Sequence, residues 1–379
     1  MPECSFYLKP ADTFFFKGHH TVEAGEDSDM FGLFPPRPNT VYGALRSAYI
    51  HEHMSFSDFA KGTNEEVKQW MGTPDSLGKF AIDFCGLVFE TQLLFPLPLD
   101  YQVIEKKIEK DGQEQAQAHP LQLTRTDGLS SLGSKWLLTS QLKEKSKSAA
   151  NWFVRKEDWK KQVLLAKPIE NLVALGDLLA VENKVGIALD YRKRTGQESH
   201  LYRMNFLRFK ADSHLYVYSS SAPDFSHVRF ARLGGENRPW LIRQEKETLT
   251  IWDQKEYEAI RKQIAKTKKA RIILLTPAIW ENGSRPKSFD GGKITLPNGI
   301  KAELLCAAIG RPAIFGGWDI VRHRPKKRRF MVPAGSVLYV GLEEKEIDRF
   351  LDLVNGFSFT DYGSQEGFGF AVIAPVKEG

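Results

Sequence analysis

Gly363-Ser-Gln-Glu-Gly-Phe-Gly-Phe370 runs directly into Ala371-Val-Ile-Ala-Pro-Val376 near the end of the chain. The glycines at 363, 367 and 369 leave backbone free to enter positive φ and to approach a ligand with no Cβ in the way. Such a loop can present bare N–H groups to phosphate oxygens. A dinucleotide-binding loop follows a strand and opens a helix. This one follows a helical segment and opens a strand, which argues against a Rossmann site. The competing explanation is a tight helix-to-strand turn with no ligand.

Working outward from that loop, Glu256 to Lys269 carries Tyr257, Ile260 and Ile264 on one helical stripe. Arg271-Ile-Ile-Leu-Leu275 and Gly335-Ser-Val-Leu-Tyr-Val340 read as strands. Ile347, Phe350, Leu351 and Val354 recur at helical spacing, and Asn355-Gly356 can close that helix. With a strand at Leu249-Thr-Ile-Trp252 the order becomes β-α-β-β-α-β, the ferredoxin-like or RRM-like plan.

The N-terminal half reads as a more decorated copy. Ser5-Phe-Tyr-Leu8 is a first strand, and Phe14 to Phe16 continue its apolar density. Pro35, Pro36 and Pro38 exclude helix upstream of Asn39 or Thr40, either of which can cap a helix there. Val41, Ala44, Leu45 and Ala48 form its buried stripe, with Tyr42, Arg46 and Tyr49 on another face. That helix N-terminus is a natural phosphate seat. Leu87 to Phe95 reads as one strand stopped by Pro96 and Pro98, and Glu105 to Gln122 as an exposed polar loop. Asn151 to Leu179 is more helical. Val185 to Leu189 and Leu201 to Phe209 form a hairpin with the basic tip Arg192-Lys-Arg-Thr-Gly196. The expected fold is α+β: two tandem ferredoxin-like (RRM-like) domains with insertions. They span residues 1–210, interrupted around 102–182, and residues 211–379.

With 379 residues, 42% of them hydrophobic, the chain can bury two cores and is not disordered. Cys4, Cys85 and Cys306 are widely spaced and form neither a disulfide framework nor a zinc motif. No signal peptide and no apolar stretch near the ~20 residues of a membrane span are visible. A cytoplasmic protein without membrane association is expected. The net charge of +6 is uneven. Arg322-His-Arg-Pro-Lys-Lys-Arg-Arg329 holds six basic residues and no acid, as a loop crossing a nucleic-acid groove would.

Catalytic signatures are missing. Gly291-Gly-Lys293 lacks the Ser or Thr of a phosphate loop, and there is no HExxH or GxSxG motif. His51 and His53 can be read as an acid–base pair for RNA cleavage, or as histidines that suit a helix C-terminus electrostatically. No metal set and no cofactor are expected. Two further segments combine glycine pairs, arginine and an aromatic, the parts of a single-strand RNA surface. They are Phe230-Ala-Arg-Leu-Gly-Gly-Glu-Asn-Arg-Pro239 and Ile309-Gly-Arg-Pro-Ala-Ile-Phe-Gly-Gly-Trp318.

Taken in order, several segments resemble the third-subunit family of the Cmr module. That module is the type III-B CRISPR RNA-guided effector complex, and the family belongs to the RAMP superfamily. The matching pieces include Leu8 to Thr13, Phe34 to Arg46, Phe95 to Asp100, Val185 to Asp190, Arg232 to Glu236 and Leu275 to Ala278. Gly310 to Pro312, Gly316 to Trp318, Val332 to Ser336 and Gly367 to Gly369 complete the series. The resemblance implies two packed RRM-like domains and a noncatalytic role. It implies binding of the 5′ handle of crRNA, docking of the large palm-polymerase subunit, and contact with the adjacent backbone RAMP subunit. The superfamily's glycine-rich loop matches Gly363 to Gly369.

The residues expected at RNA rest on chemistry. They are Asn39, Thr40, Arg46, Arg192, Arg194, Arg232, Gly234, Gly235, Arg238, Arg311, Gly316, Gly317, Trp318, Gly367, Phe368 and Gly369. The alternative readings are a RAMP endoribonuclease that processes CRISPR repeat RNA through His51 or His53, and a small-molecule or nucleotide-binding enzyme.

Overall fold

The computed structural model describes residues 3–18, 29–107, 114–128, 133–190, 195–319 and 324–376. The chain is a mixed α/β protein whose strands pair mainly antiparallel, and two large sheets dominate it. The first sheet takes Cys4–Pro10 between Ser213–Ser219 and Pro239–Glu245. Phe84–Phe89, Gln92–Pro96, Trp152–Arg155 and Leu172–Ala174 extend it on one side, and Phe230–Arg232 closes the other edge. The second sheet places Lys269–Leu274 between Val337–Gly341 and Phe370–Pro375, with Lys301–Ala308 and Lys293–Thr295 beyond the former.

Alternation in the first strand sends Phe6 and Leu8 into a core beneath the helix Pro38–His53. Tyr7 points to the other face. That opposite face packs toward the second sheet, so one continuous core joins both halves. Phe84 meets Phe370 with ring centroids 5.5 Å apart, and Trp159 meets Trp252 at 5.6 Å. The final strand has no exposed residue, as expected for a strand enclosed on both faces.

A buried ion pair locks the halves together. Arg271 and Asp100 lie 3.1 Å apart with side chains 2% and 1% exposed. Tyr339 donates its hydroxyl to Asp100 at 2.8 Å, and Arg271 donates to the Pro375 and Val163 carbonyls. Unpairing such a charge typically costs about 3–5 kcal/mol.

Several expectations change. Strands between 213 and 245 belong to the first sheet, so the division between the sheets falls after Glu245 rather than at residue 210. Leu249 to Trp252 is not a strand; Leu249, Ile251 and Trp252 are a buried plug in the shared core. Leu87 to Phe95 is a hairpin, Phe84–Phe89 and Gln92–Pro96, turning at Glu90 and Thr91 with φ of 49° and 67°. Both residues at positive φ match the twist of a two-residue hairpin turn. The stretch expected to be a loop, Glu105 to Gln122, takes in the end of the strand Tyr101–Lys107 and its partner Glu114–Pro120, the latter placing Ala118 in the core.

The hairpin read from Val185 to Leu189 and Leu201 to Phe209 is present with longer strands, Leu179–Asp190 and Thr195–Phe209. Also present are the helix Gln254–Thr267 and the strands Lys269–Leu274, Val337–Gly341 and Phe370–Pro375. The segment read as helix from Glu344 divides into a short 3-10 turn, Glu344–Glu346, and the helix Ile347–Leu351.

Candidate nucleic-acid interface

The helix Pro38–His53 begins earlier than the sequence implied, its cap lying two residues before Asn39. Pro38 occupies its first turn, where the missing N–H is no loss. Arg37, not Asn39 or Thr40, is the N-cap, and no side chain caps it. The helix buries a broad face through Val41, Tyr42, Leu45, Tyr49 and Ile50, so Tyr42 and Tyr49 lie in the core. What remains open is a strip of small residues, which includes Thr40, Gly43 and Ser47 and ends at His51.

That strip forms one wall of a cleft of about 1300 Å³. The second wall is the edge strand Phe230–Arg232 with the turn at Gly234 and Gly235. The third is a basic arm from the second half, contributing Gly316, Gly317 and Lys326. The charged residues lining the cleft are Lys17, Arg37, Arg232 and Lys326, opposed by Glu52. Asn39 also borders it, and its buried Oδ1 has no hydrogen-bond partner among the described residues.

The arm is an antiparallel excursion built from two short ribbons. Ala313–Phe315 pairs with Arg329–Met331, and Trp318–Asp319 pairs with Arg324–Pro325. Arg329 anchors its base, 3.4 Å over the Tyr362 ring and 3.7 Å from Glu281. Arg324, Lys326, Lys327 and Arg328 are exposed. Arg37 ties the arm to the helix by donating to the Ile314 carbonyl at 2.8 Å, with its guanidinium 5.4 Å over the Phe315 ring. Burial pulls the Arg37 guanidinium below its ordinary pKa range.

The cleft glycines divide by local demand. Gly234 has φ of 88°, and a Cβ there would fall 2.5 Å from the Phe15 carbonyl oxygen. The chain itself requires that glycine. Gly316 and Gly317 are not in the left-handed region, and a Cβ at either would meet only arm side chains at 3.7 and 3.8 Å. At Gly43 an added Cβ would meet nothing within 4 Å among the described residues, the helix's own backbone aside. A glycine inside a helix costs about 0.8–1.0 kcal/mol relative to alanine. Nothing in the packing of the described residues repays that cost.

The glycine-rich loop lies against the start of the same helix. A Cβ at Gly367 would sit 3.3 Å from the Pro38 Cβ. Its polar backbone is used internally: the N–H groups of Glu366, Gly367, Phe368 and Gly369 donate to Gly363, Ser364, Gly363 and Pro277. Phe368 is 1% exposed and meets the Phe315 ring edge-on at 5.2 Å. The loop packs the base of the arm onto the helix start. Beside it, burial pushes the Glu366 carboxyl up, against the opposing pull of Lys326 and Arg46.

Other expected contacts fall elsewhere. Arg46 donates to the Met71 and Thr73 carbonyls, each at 2.7 Å, and braces the helix against the following loop. Arg238 is held 3.6 Å from Asp12 and 4.8 Å over Phe206. Arg311 borders a separate apolar cavity of about 460 Å³ between the sheets. Trp318 joins the arm through its backbone. Arg192 and Arg194 lie outside the described residues, as do Arg322 and His323. His51 borders the cleft, whereas His53 stacks on Tyr49 at 4.1 Å and pairs with the Tyr49 carbonyl at 2.8 Å. The two histidines therefore do not converge on one point. Sequence reasoning missed Lys17, Arg37 and Gly43; for the first two, no local signal separates a cleft residue from any other surface cation.

Among the described residues no group of three or more His, Cys, Asp or Glu could hold a metal ion, and no helix is long and apolar enough to cross a membrane. The family model for CRISPR-associated protein Cas_Cmr3 matches residues 6–378. The match defines a CRISPR effector protein. The chain belongs to the Cas_Cmr3 family, the third subunits of type III-B Cmr complexes.

No curated protein matches the chain by sequence. Among solved structures, a chain of the type III-B Cmr-beta bound to cognate target RNA and AMPPnP is similar. It is 13% identical with a TM-score of 0.47, over 92% of this chain and 89% of that one. A chain of the Csm1-Csm4 cassette in complex with pppApA is 12% identical with a TM-score of 0.33, over 89% and 87%.

Proposed function

We propose that this chain is a noncatalytic RNA-binding subunit of a type III-B effector, holding the 5′ handle of crRNA across the cleft. The observation that carries the proposal is the open row of small residues at Gly43, Gly316 and Gly317, set among Lys17, Arg37, Arg232 and Lys326. Close backbone approach, phosphate charge and, at Asn39, an acceptor with no partner among the described residues are what a single strand needs. Docking of the large palm-polymerase subunit and of the adjacent backbone RAMP subunit belongs to the same reading, with family membership as its support. The reading also takes the two sheets as decorated ferredoxin-like halves. In each, four strands follow the order fourth, first, third, second: 239–245, 4–10, 213–219, 84–89 and 370–375, 269–274, 337–341, 301–308.

The test is the salt dependence of binding to RNA carrying the repeat-derived handle. Each neutralised phosphate of a single strand contributes about −0.7 to the log–log slope. Replacing Lys326, Lys327 and Arg328 by alanine together should reduce the slope by about 2. Arg329 is left in place because it anchors the arm. An unchanged slope would mean that the arm does not touch RNA.

A further inference from the structure

We propose that Phe230 is a base-stacking platform at the mouth of the cleft, receiving one unpaired base of the strand whose backbone the cleft holds. The proposal rests on the RNA reading above and names where the strand leaves. The strand Phe230–Arg232 alternates, so Ala231 is buried while Phe230 and Arg232 project to the opposite face, the one that carries Tyr7, at an edge that the second sheet leaves exposed. Phe230 is 55% exposed and sits directly opposite Leu241, itself 43% exposed. Leu241 in turn is opposite Lys9. In the next row Arg243 lies 4.9 Å over the Tyr7 ring. Phe230 and Arg232 both border the cleft, so an apolar step flanked by cations leads out of it onto the sheet face.

The charge pattern favours a nucleic-acid occupant over a protein. Arg232 is exposed and has no ion-pair partner among the described residues, and its strand neighbour supplies an uncovered ring. A ring beside an unpaired guanidinium provides a stacking surface for a base and a charge for the next phosphate. Phe230 belongs to no core cluster, so it can be changed without opening the interior.

The experiment uses the full chain and a series of short single-stranded RNAs, each with 2-aminopurine at one position in turn. Binding should quench the fluorophore at one position. Phe230→Ala and Phe230→Leu should abolish that quench and weaken binding roughly five- to tenfold, the low end for base–aromatic stacking. Phe230→Tyr and Phe230→Trp should retain both. The salt slope should be unchanged in Phe230→Ala but reduced by about 0.7 in Arg232→Ala. Wild-type affinity and quenching in Phe230→Ala would overturn stacking while leaving RNA binding intact. A leucine variant that behaves like the wild type would overturn it too, by showing an apolar contact with no need for a ring. Failure of the wild-type chain to bind any of the RNAs would instead remove the RNA reading, and the platform with it.

Discussion

At Gly369 an added Cβ would lie 2.6 Å from the Thr360 Cβ, whereas at Gly43 it would meet nothing within 4 Å among the described residues, the helix's own backbone aside. The first glycine sits at φ of 75° in a loop whose N–H groups from Glu366 to Gly369 are already bonded to the protein. The second sits in regular helix, where alanine would be better by about 0.8–1.0 kcal/mol. Glycine-rich sequence therefore has two physical meanings here. In the loop ahead of the last strand it lets the chain turn and pack on itself. Along the cleft it keeps space that the described residues do not fill, and such space beside cations is what points to a ligand.

The largest expected effect breaks the loop. Gly369→Val combines strain at positive φ with backbone contacts of 2.8 and 2.9 Å to Phe359, and should lower unfolding stability by about 3 kcal/mol or more. Thermal or denaturant unfolding measures it. A variant that melted like the wild type while losing RNA would return the loop to the binding surface. A smaller effect sharpens the division at Arg46. Its guanidinium is committed to the Met71 and Thr73 carbonyls, so Arg46→Ala should cost about 1–2 kcal/mol of stability. The salt slope of RNA binding should stay the same. A slope reduced by about 0.7 would show that Arg46 reaches a phosphate after all.

Much of the framework was legible in the sequence because local signals agreed. Alternation at Phe6 and Leu8, the stripe of Ile260 and Ile264, and the apolar run 371–374 each mark an element that the structure contains. Asp253 and Glu256 form a reciprocal capping box at 2.8 and 2.9 Å, an N-terminal signal present in the sequence that places the helix start earlier than Glu256. The strand Glu114–Pro120 escaped because its buried side is marked by alanine among glutamines, a weak hydrophobic alternation. Leu249 to Trp252 misled because a short apolar run does not reveal whether it is a strand or a plug.

At the site, the segments containing Asn39, Arg232, Gly234 and Gly316 were legible as pieces. Their convergence was not, because it depends on Arg37 holding the arm against a helix nearly three hundred residues away in sequence. The same reason hid the role of the loop. Whether a glycine serves its own chain or a ligand is decided by neighbours that only the folded chain supplies.

The central claim is that the open face of the helix Pro38–His53 is kept bare for RNA. It is tested most directly by measuring unfolding stability and affinity for handle-bearing RNA together on Gly43→Ala and Gly43→Gln. Both residues are good helix formers with open space to enter. Gly43→Ala should be more stable than the wild type by about 0.5–1 kcal/mol, and Gly43→Gln should be at least as stable. The glutamine variant should nevertheless bind RNA about tenfold or more weakly, a loss of about 1.4 kcal/mol. A glutamine variant that is stable and binds with wild-type affinity would contradict the account.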